Sequence, residues 1–261
     1  MKLFNGQIFD AVFSLGFNCR TALYLRDARL RDCSGPFDWV TIAAFEERIN
    51  SLTSDFADWL KAENLEYVGV VVSGALHEHD RYDDRISHYA YLHDFPAGHP
   101  LEQTYPAVKA KYDRRIKRML ERLDAGGRYL FVWWSVEKES DESLLAALTR
   151  LRGRFGNSGI SLLAIDNGGG DGVEYSEVSG SDGCIFRASG KILDGQLDMV
   201  GVEKRAVPIF RRIRVRGVFI RRLRWGVGRF LIHALIWYLP TKNLRRRFKA
   251  FLNPILLGNL A

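Results

Sequence analysis

In residues 13–27, FSLGFNCRTALYLRD, the thiol of Cys19 falls where a strand-like apolar run ends in a glycine turn and a helix opens at Asn18 or Cys19. The first turn of a helix leaves backbone N–H groups unpaired and carries the positive end of the helix dipole, which favours thiolate and lowers a thiol pKa. Cys19 is therefore the candidate nucleophile. Asn18 is placed to cap the helix or to offer its amide to a developing oxyanion, and the turn at Gly16 leaves room for a substrate to approach. The alternative is that Cys19 is a small buried hydrophobe in a first helical turn, since free cysteine is among the most buried residue types. A nucleophile also needs a base. Five of the six histidines, His77, His79, His88, His93 and His99, fall within 23 positions, and His93 in YAYLHDF ends an apolar stretch just before a Pro96–Gly98 turn. His93 is the candidate general base and acid, and Asp94 its candidate orienter; thiol, imidazole and carboxylate are the minimal apparatus of thiol-based acyl transfer. Neighbouring side chains on a strand point to opposite faces, so Asp94 serves His93 only if the strand has ended there; otherwise the third group lies elsewhere, with Asp38 in reserve. The alternative for His93 is a hydrogen-bonded loop residue.

Short apolar runs rich in β-branched and aromatic residues predict the strands that position these groups: residues 11–15 (AVFSL), 67–73 (YVGVVVS), 129–134 (YLFVWW) and 160–165 (ISLLAI), with 184–187 (CIFR) a weaker candidate. Between them, Val108, Tyr112, Ile116, Met119, Leu120 and Leu123 recur at helical spacing until Gly126-Gly127 stops the run. A second helix is predicted over 141–155, with Ser140 as N-cap and Leu144, Leu145, Leu148 and Leu151 as its apolar side. Strands alternating with helices are the signature of crossover units. The expected fold is α/β: a mostly parallel sheet with helices on both faces, followed by a basic, partly helical C-terminal segment.

The 261 residues are 47% apolar and 26% charged with only 7 prolines, which excludes disordered and collagen-like chains. Three cysteines without a CxxC pair argue against a secreted disulfide scaffold. The net charge of +7 is divided unevenly. Residues 1–203 carry 23 of the 38 Lys and Arg against all 31 Asp and Glu, a balance of −8; residues 204–261 carry the other 15 cations and no acid. The chain is therefore divided at this point into an α/β catalytic domain, 1–203, and a basic amphipathic segment, 204–261. Asn5, Gln7 and Asp10 interrupt what a signal core would require, so the expected location is cytoplasmic, with a peripheral place at the inner face of the plasma membrane.

The ordered blocks SLGFNCRTALYLRDARLRDCSGPFDWV, YAYLHDF and KYDRRIKRMLERL, the last followed by YLFVWW, resemble the bacterial domain-of-unknown-function family labelled papain-like cysteine peptidases, over roughly residues 10 to 166. SLGxNC and PFDW are the most specific parts. The resemblance implies a Cys nucleophile at Cys19 and a His-Asp pair at His93 and Asp94. It also implies that Pro36, Phe37, Asp38 and Trp39 belong to the site or its support. The GFNC stretch is also weakly similar to the GNC turn of capsular-polysaccharide biosynthesis proteins that handle acyl groups, a hint about reaction class alone.

Other motifs carry less. His77-Glu78-His79-Asp80 puts two imidazoles on one side of an extended chain, but no third metal ligand is evident and polarity at the surface is the preferred reading, so neither a metal nor a cofactor is expected. The glycine-rich run 166–172 (DNGGGDG) follows a strand but lacks P-loop, GxGxxG and EF-hand spacing. Arg114 and Arg115 are read as a solvated helix face rather than as a clamp for an acidic substrate. In the basic segment the longest uncharged run, 230–239, is half of what a bilayer span needs. Leu244, Phe248, Phe251, Leu252 and Ile255 share a helical face with Arg245, Arg246 and Lys249 off it, and Trp225, Trp237 and Tyr238 flank the earlier run. An anionic membrane surface is the favoured partner, packing on the acidic body comes second, and nucleic acid is a distant third. Two functions follow from different classes. One is a Cys-dependent hydrolase or acyl transferase acting at the membrane surface on polysaccharide or lipid-linked substrates; the other is a non-enzymatic α/β binding module anchored by its basic segment.

Overall fold

The computed structural model describes residues 3–16, 18–73, 77–135, 137–167, 173–190 and 208–220, and residues 223, 227 and 244 singly. In chain order they form β1 (Ala11–Ser14), α1 (Cys19–Asp27), a 3-10 turn (Pro36–Asp38), β2 (Val40–Thr41), α2 (Phe45–Thr53), β3 (Leu65–Ser73), β4 (His77–Asp84), β5 (Ala90–Pro96), α3 (Leu101–Asp124), β6 (Tyr129–Trp134), α4 (Asp141–Phe155), β7 (Ile160–Asn167), β8 (Glu174–Glu177) and β9 (Ile185–Gly190). Strands β1, β6, β7 and β9 lie side by side and parallel, with β8 antiparallel at the far edge. The expected α/β class, mostly parallel sheet and flanking helices are all present.

The strand YLFVWW is buried along its whole length because both faces of its sheet are covered. Tyr129, Phe131 and Trp133 point to one face, where they meet Ile49 and Leu52 of α2, Tyr112 and Met119 of α3, and Leu144, Leu148 and Leu151 of α4. Leu130, Val132 and Trp134 point to the other, against Tyr24 and Leu25 of α1, Phe4 and Phe9. Helix α4 begins at the predicted cap, with Ser140 Oγ accepting the Ser143 N–H at 3.0 Å, and ends at Gly156, whose left-handed φ of 56° suits a residue without Cβ.

One prediction needs correction. The 67–73 run joins a second, antiparallel sheet, ordered β2-β5-β4-β3, rather than the parallel one. Only residues 74–76 separate β3 from β4, far too few for the crossover that a parallel neighbour demands. The inner face of this sheet, through Tyr82, Tyr91 and Phe95, shares the core of the parallel sheet's first face.

The first described part of the basic segment is core material. Ile209, Phe210, Ile213 and Val215 are buried on the second face of the parallel sheet. Val215 bridges to Phe9, with Phe9 N–H donating to the Arg214 carbonyl at 2.9 Å and Arg216 N–H to the Phe9 carbonyl at 2.8 Å. Among the described residues no helix is long and apolar enough to cross a membrane.

Candidate functional site

Leu15 N–H still donates to the Val132 carbonyl at 2.8 Å, so the chain leaves the sheet only at Gly16. Gly16 is required for space. A Cβ built on it would lie 2.5 Å from Thr21 Cβ, and closer still to Thr21 Oγ1, whereas real Cβ atoms stay beyond 3.0 Å. The glycine thus lets the first turn of α1 settle against the end of β1. Asn18 caps that helix, its Oδ1 accepting the Arg20 N–H at 3.0 Å, and Cys19 is the first helical residue.

Cys19 therefore stands at a helix N-terminus, at the carboxyl end of a parallel strand where α/β proteins bind ligands. The electrostatic outcome differs from the expectation. Burial pushes the thiol above its ordinary pKa, and the pull of its own backbone N–H and of Arg20 offsets this only in part. The helix N-terminus lowers a thiol pKa when water can also reach the anion; Cys19 is half-buried, and the lost hydration wins.

His93 sits in an irregularity of β5. Between the pairs Tyr82–Tyr91 and Asp80–Phe95, β5 carries Leu92, His93 and Asp94 against Arg81 alone on β4. Such bulges re-aim side chains and recur beside active sites. The His93 ring lies edge-on to Trp39 with centroids 6.1 Å apart and edge-on to His79 at 6.3 Å. Burial lowers its pKa, the Asp94 charge raises it and His79 lowers it further, so the imidazole is neutral at neutral pH.

Asp94 turns the other way, because β5 continues to Pro96. Its Oδ1 pairs with Lys111, and Tyr112 OH donates to its Oδ2 at 2.7 Å, so both oxygens face α3 and reach His93 through charge alone. Asp38, the reserve, is also committed. It is buried, paired with Arg31, and accepts the Gly35 N–H at 2.8 Å, which closes the turn that presents Trp39. Helix α1 packs against this Pro36–Asp38 turn. The turn thus lies near α1 on one side and, through Trp39, meets the His93 ring on the other, while among the described residues no hydrogen bond joins Cys19 to His93.

Sequence reasoning missed His79 as a neighbour of His93, although its alternation with His77 on an extended run was the signal. It also missed a network at the carboxyl ends of β7 and β9, where the buried Arg187 donates to Asp166 at 2.6 Å, to Asp141 at 2.6 Å and to the Glu139 carbonyl at 2.8 Å. Asp166 and Asp141 share the one Arg187 guanidinium, which makes the network a brace for that edge. Arg115 lies over the Tyr112 ring at 5.3 Å, and Arg114 is exposed. Among the described residues no group of three or more His, Cys, Asp or Glu is arranged to hold a metal ion. The glycines 168–170 and 172, and the apolar face from Phe248 to Ile255, lie outside the described residues.

Fold and site together define an α/β protein with a cysteine heading the helix after its first strand. The family model described as "putative papain-like cysteine peptidase", a domain of unknown function, matches residues 10–157, more than half of the chain, and the chain belongs to that family. No curated protein and no solved structure matches it.

Proposed function

We propose that the protein is a cysteine-dependent hydrolase or acyl transferase in which Cys19 is the nucleophile and His93 the general base and acid. The observation that carries this reading is the placement of Cys19 as first residue of α1 at the carboxyl end of β1, in a chain whose family, of unknown function, is described as papain-like cysteine peptidase in kind. Burial favours the protonated Cys19 thiol and the neutral His93 imidazole, which are the starting states for transfer of the thiol proton to His93 as the sulfur attacks an acyl carbon. The leaving group then takes that proton, and water or an acceptor hydroxyl releases the acyl group. Backbone N–H groups of the first turn of α1, with Asn18 Nδ2, are the donors for the oxyanion. Trp39 and His79 hold the ring of His93, Asp94 contributes charge, and Asp38 positions Trp39. The substrate class that fits is an acyl group on a lipid-linked or polysaccharide carrier at the inner face of the plasma membrane.

The second reading is a non-catalytic binding module, in which Cys19 is a half-buried side chain of the first helical turn. One experiment separates the two. The full chain is mixed with p-nitrophenyl acetate and its mass measured; the enzyme reading expects one acetyl group on Cys19, lost in Cys19→Ala. Acetylation spread over lysines, or unchanged in Cys19→Ala, supports the module.

A further inference from the structure

Among the described residues Val215 is the last fully buried one of the basic segment, and Val218 packs half-buried beside the same core. Residues 218–220, 223 and 227 are helical, and their large apolar side chains face outward: Phe219 is 74% exposed, Ile220 69%, Leu223 57% and Val227 50%. Placed on a helical wheel from the sequence alone, these four positions fall on one face. Isolated exposed apolar residues need no explanation, but four exposed large apolar side chains within nine positions do. The same stretch of sequence carries Arg221, Arg222, Arg224 and Arg229, and no acid follows Glu203.

We propose that this helical stretch docks the protein on an anionic lipid bilayer, with Phe219, Ile220, Leu223 and Val227 entering the interface and the neighbouring arginines lying among the lipid phosphates. Charge selects this occupant. A second copy would bring another 15 cations against the first, and nucleic acid would satisfy the cations but has no use for the apolar side chains. The body does not cover these side chains, which are exposed in the folded chain. Residues 1–203, at −8, are repelled by the same lipid surface that attracts the helix, so docking also orients the body away from the membrane plane. The buried Ile209, Phe210, Ile213 and Val215 transmit that orientation, since they fix the start of the segment to the sheet. The inference stands independently of the cysteine chemistry.

Truncation at residue 203 is a poor test, because it removes four core side chains worth roughly 6–12 kcal/mol of burial together. The test uses the full chain and Phe219→Ser/Leu223→Ser, whose exposed sites leave the thermal unfolding midpoint unchanged. Each is sedimented with phosphatidylglycerol/phosphatidylcholine vesicles, with phosphatidylcholine vesicles and with duplex DNA. Expected are salt-sensitive binding to the anionic vesicles alone and at least tenfold weaker binding by the double variant. Absence of vesicle binding, equal binding by both proteins, stronger capture by DNA, or a self-associated species lost in the double variant would each overturn the proposal.

Discussion

Replacing Gly16 by alanine sets a Cβ 2.5 Å from Thr21 Cβ and 3.2 Å from Thr21 Cγ2, with Oγ1 nearer than either. Rotation about χ1 of Thr21 moves Oγ1 and Cγ2 but not Cβ, which is bonded to the backbone of α1. Thr21 is buried, so the first turn of the helix itself has to retreat from the end of β1. Overpacking of this kind costs about 1–3 kcal/mol, and a clash between two backbone-anchored atoms belongs at the upper end, about 3 kcal/mol. Urea unfolding followed by circular dichroism reads it as a lower midpoint at unchanged slope. Thr21→Ala in the Gly16→Ala background removes Oγ1 and Cγ2 but leaves the 2.5 Å contact, so it restores little. Thr21→Gly removes all three atoms, and a double-mutant cycle with it is expected to show favourable coupling of about 2 kcal/mol. Gly16→Ala within about 0.5 kcal/mol of the parent, the range of surface substitutions, or no coupling to Thr21→Gly, would refute the account of why the SLGxNC glycine is needed.

Further predictions concern the buried charges and the histidines. Arg48 is fully buried against the rings of Phe37, Tyr89 and Trp133, with neither Nη hydrogen-bonded among the described residues and its pKa lowered to about 10 by burial. Arg48→Met is therefore expected to keep stability within about 1.5 kcal/mol, while Arg48→Ala loses about 2–5 kcal/mol, both read by urea unfolding. Asp94→Asn is expected to cost about 1–3 kcal/mol through its weakened Lys111 and Tyr112 partners and, by removing the charge that raises the His93 pKa, to slow Cys19 acetylation less than His93→Asn does. His79→Asn should raise the pKa of His93 in an NMR titration, because the electrostatic influence of His79 that lowers it is removed. The folded chain holds His93 below its ordinary pKa, so the unfolded state binds the extra proton first. His93 therefore weakens the fold as pH falls below about 6.5, down to its folded pKa, and His93→Asn should abolish that part of the acid sensitivity in pH-dependent unfolding.

Those parts of the fold in which local pattern and tertiary burial agree were legible in the sequence. YLFVWW and ISLLAI are apolar on both sides because both faces of their sheet are covered, and Ser140 caps α4 as its position before the leucine run predicts. The second sheet was harder to read. Strand β4, HEHDRYDD, is so charged that only its pairing with β3 and β5 makes it a strand, and tertiary context overrides its propensity. Cys19 was legible from the strand–glycine–helix order, but its electrostatics were not, since the helix terminus can be read locally and burial cannot. The direction of Asp94 turned on whether β5 stops at His93 or runs on to Pro96, which no residue type in YAYLHDF decides. The buried part of the basic segment was hidden by its arginines, which mask the spacing of Ile209, Phe210, Ile213 and Val215.

The central claim, that Cys19 and His93 act as one unit, is tested most directly by the pH dependence of the p-nitrophenolate burst in a Cys33→Ser/Cys184→Ser background. Cys33 is also pushed up to about 11 by burial and Asp32, and its removal leaves Cys19 alone to report. The account predicts a burst rate governed by an apparent pKa below the ordinary 6.5 of histidine, lost in His93→Asn. A single limb near the ordinary thiol value of about 8.5 or above, identical in the parent and in His93→Asn, would contradict it.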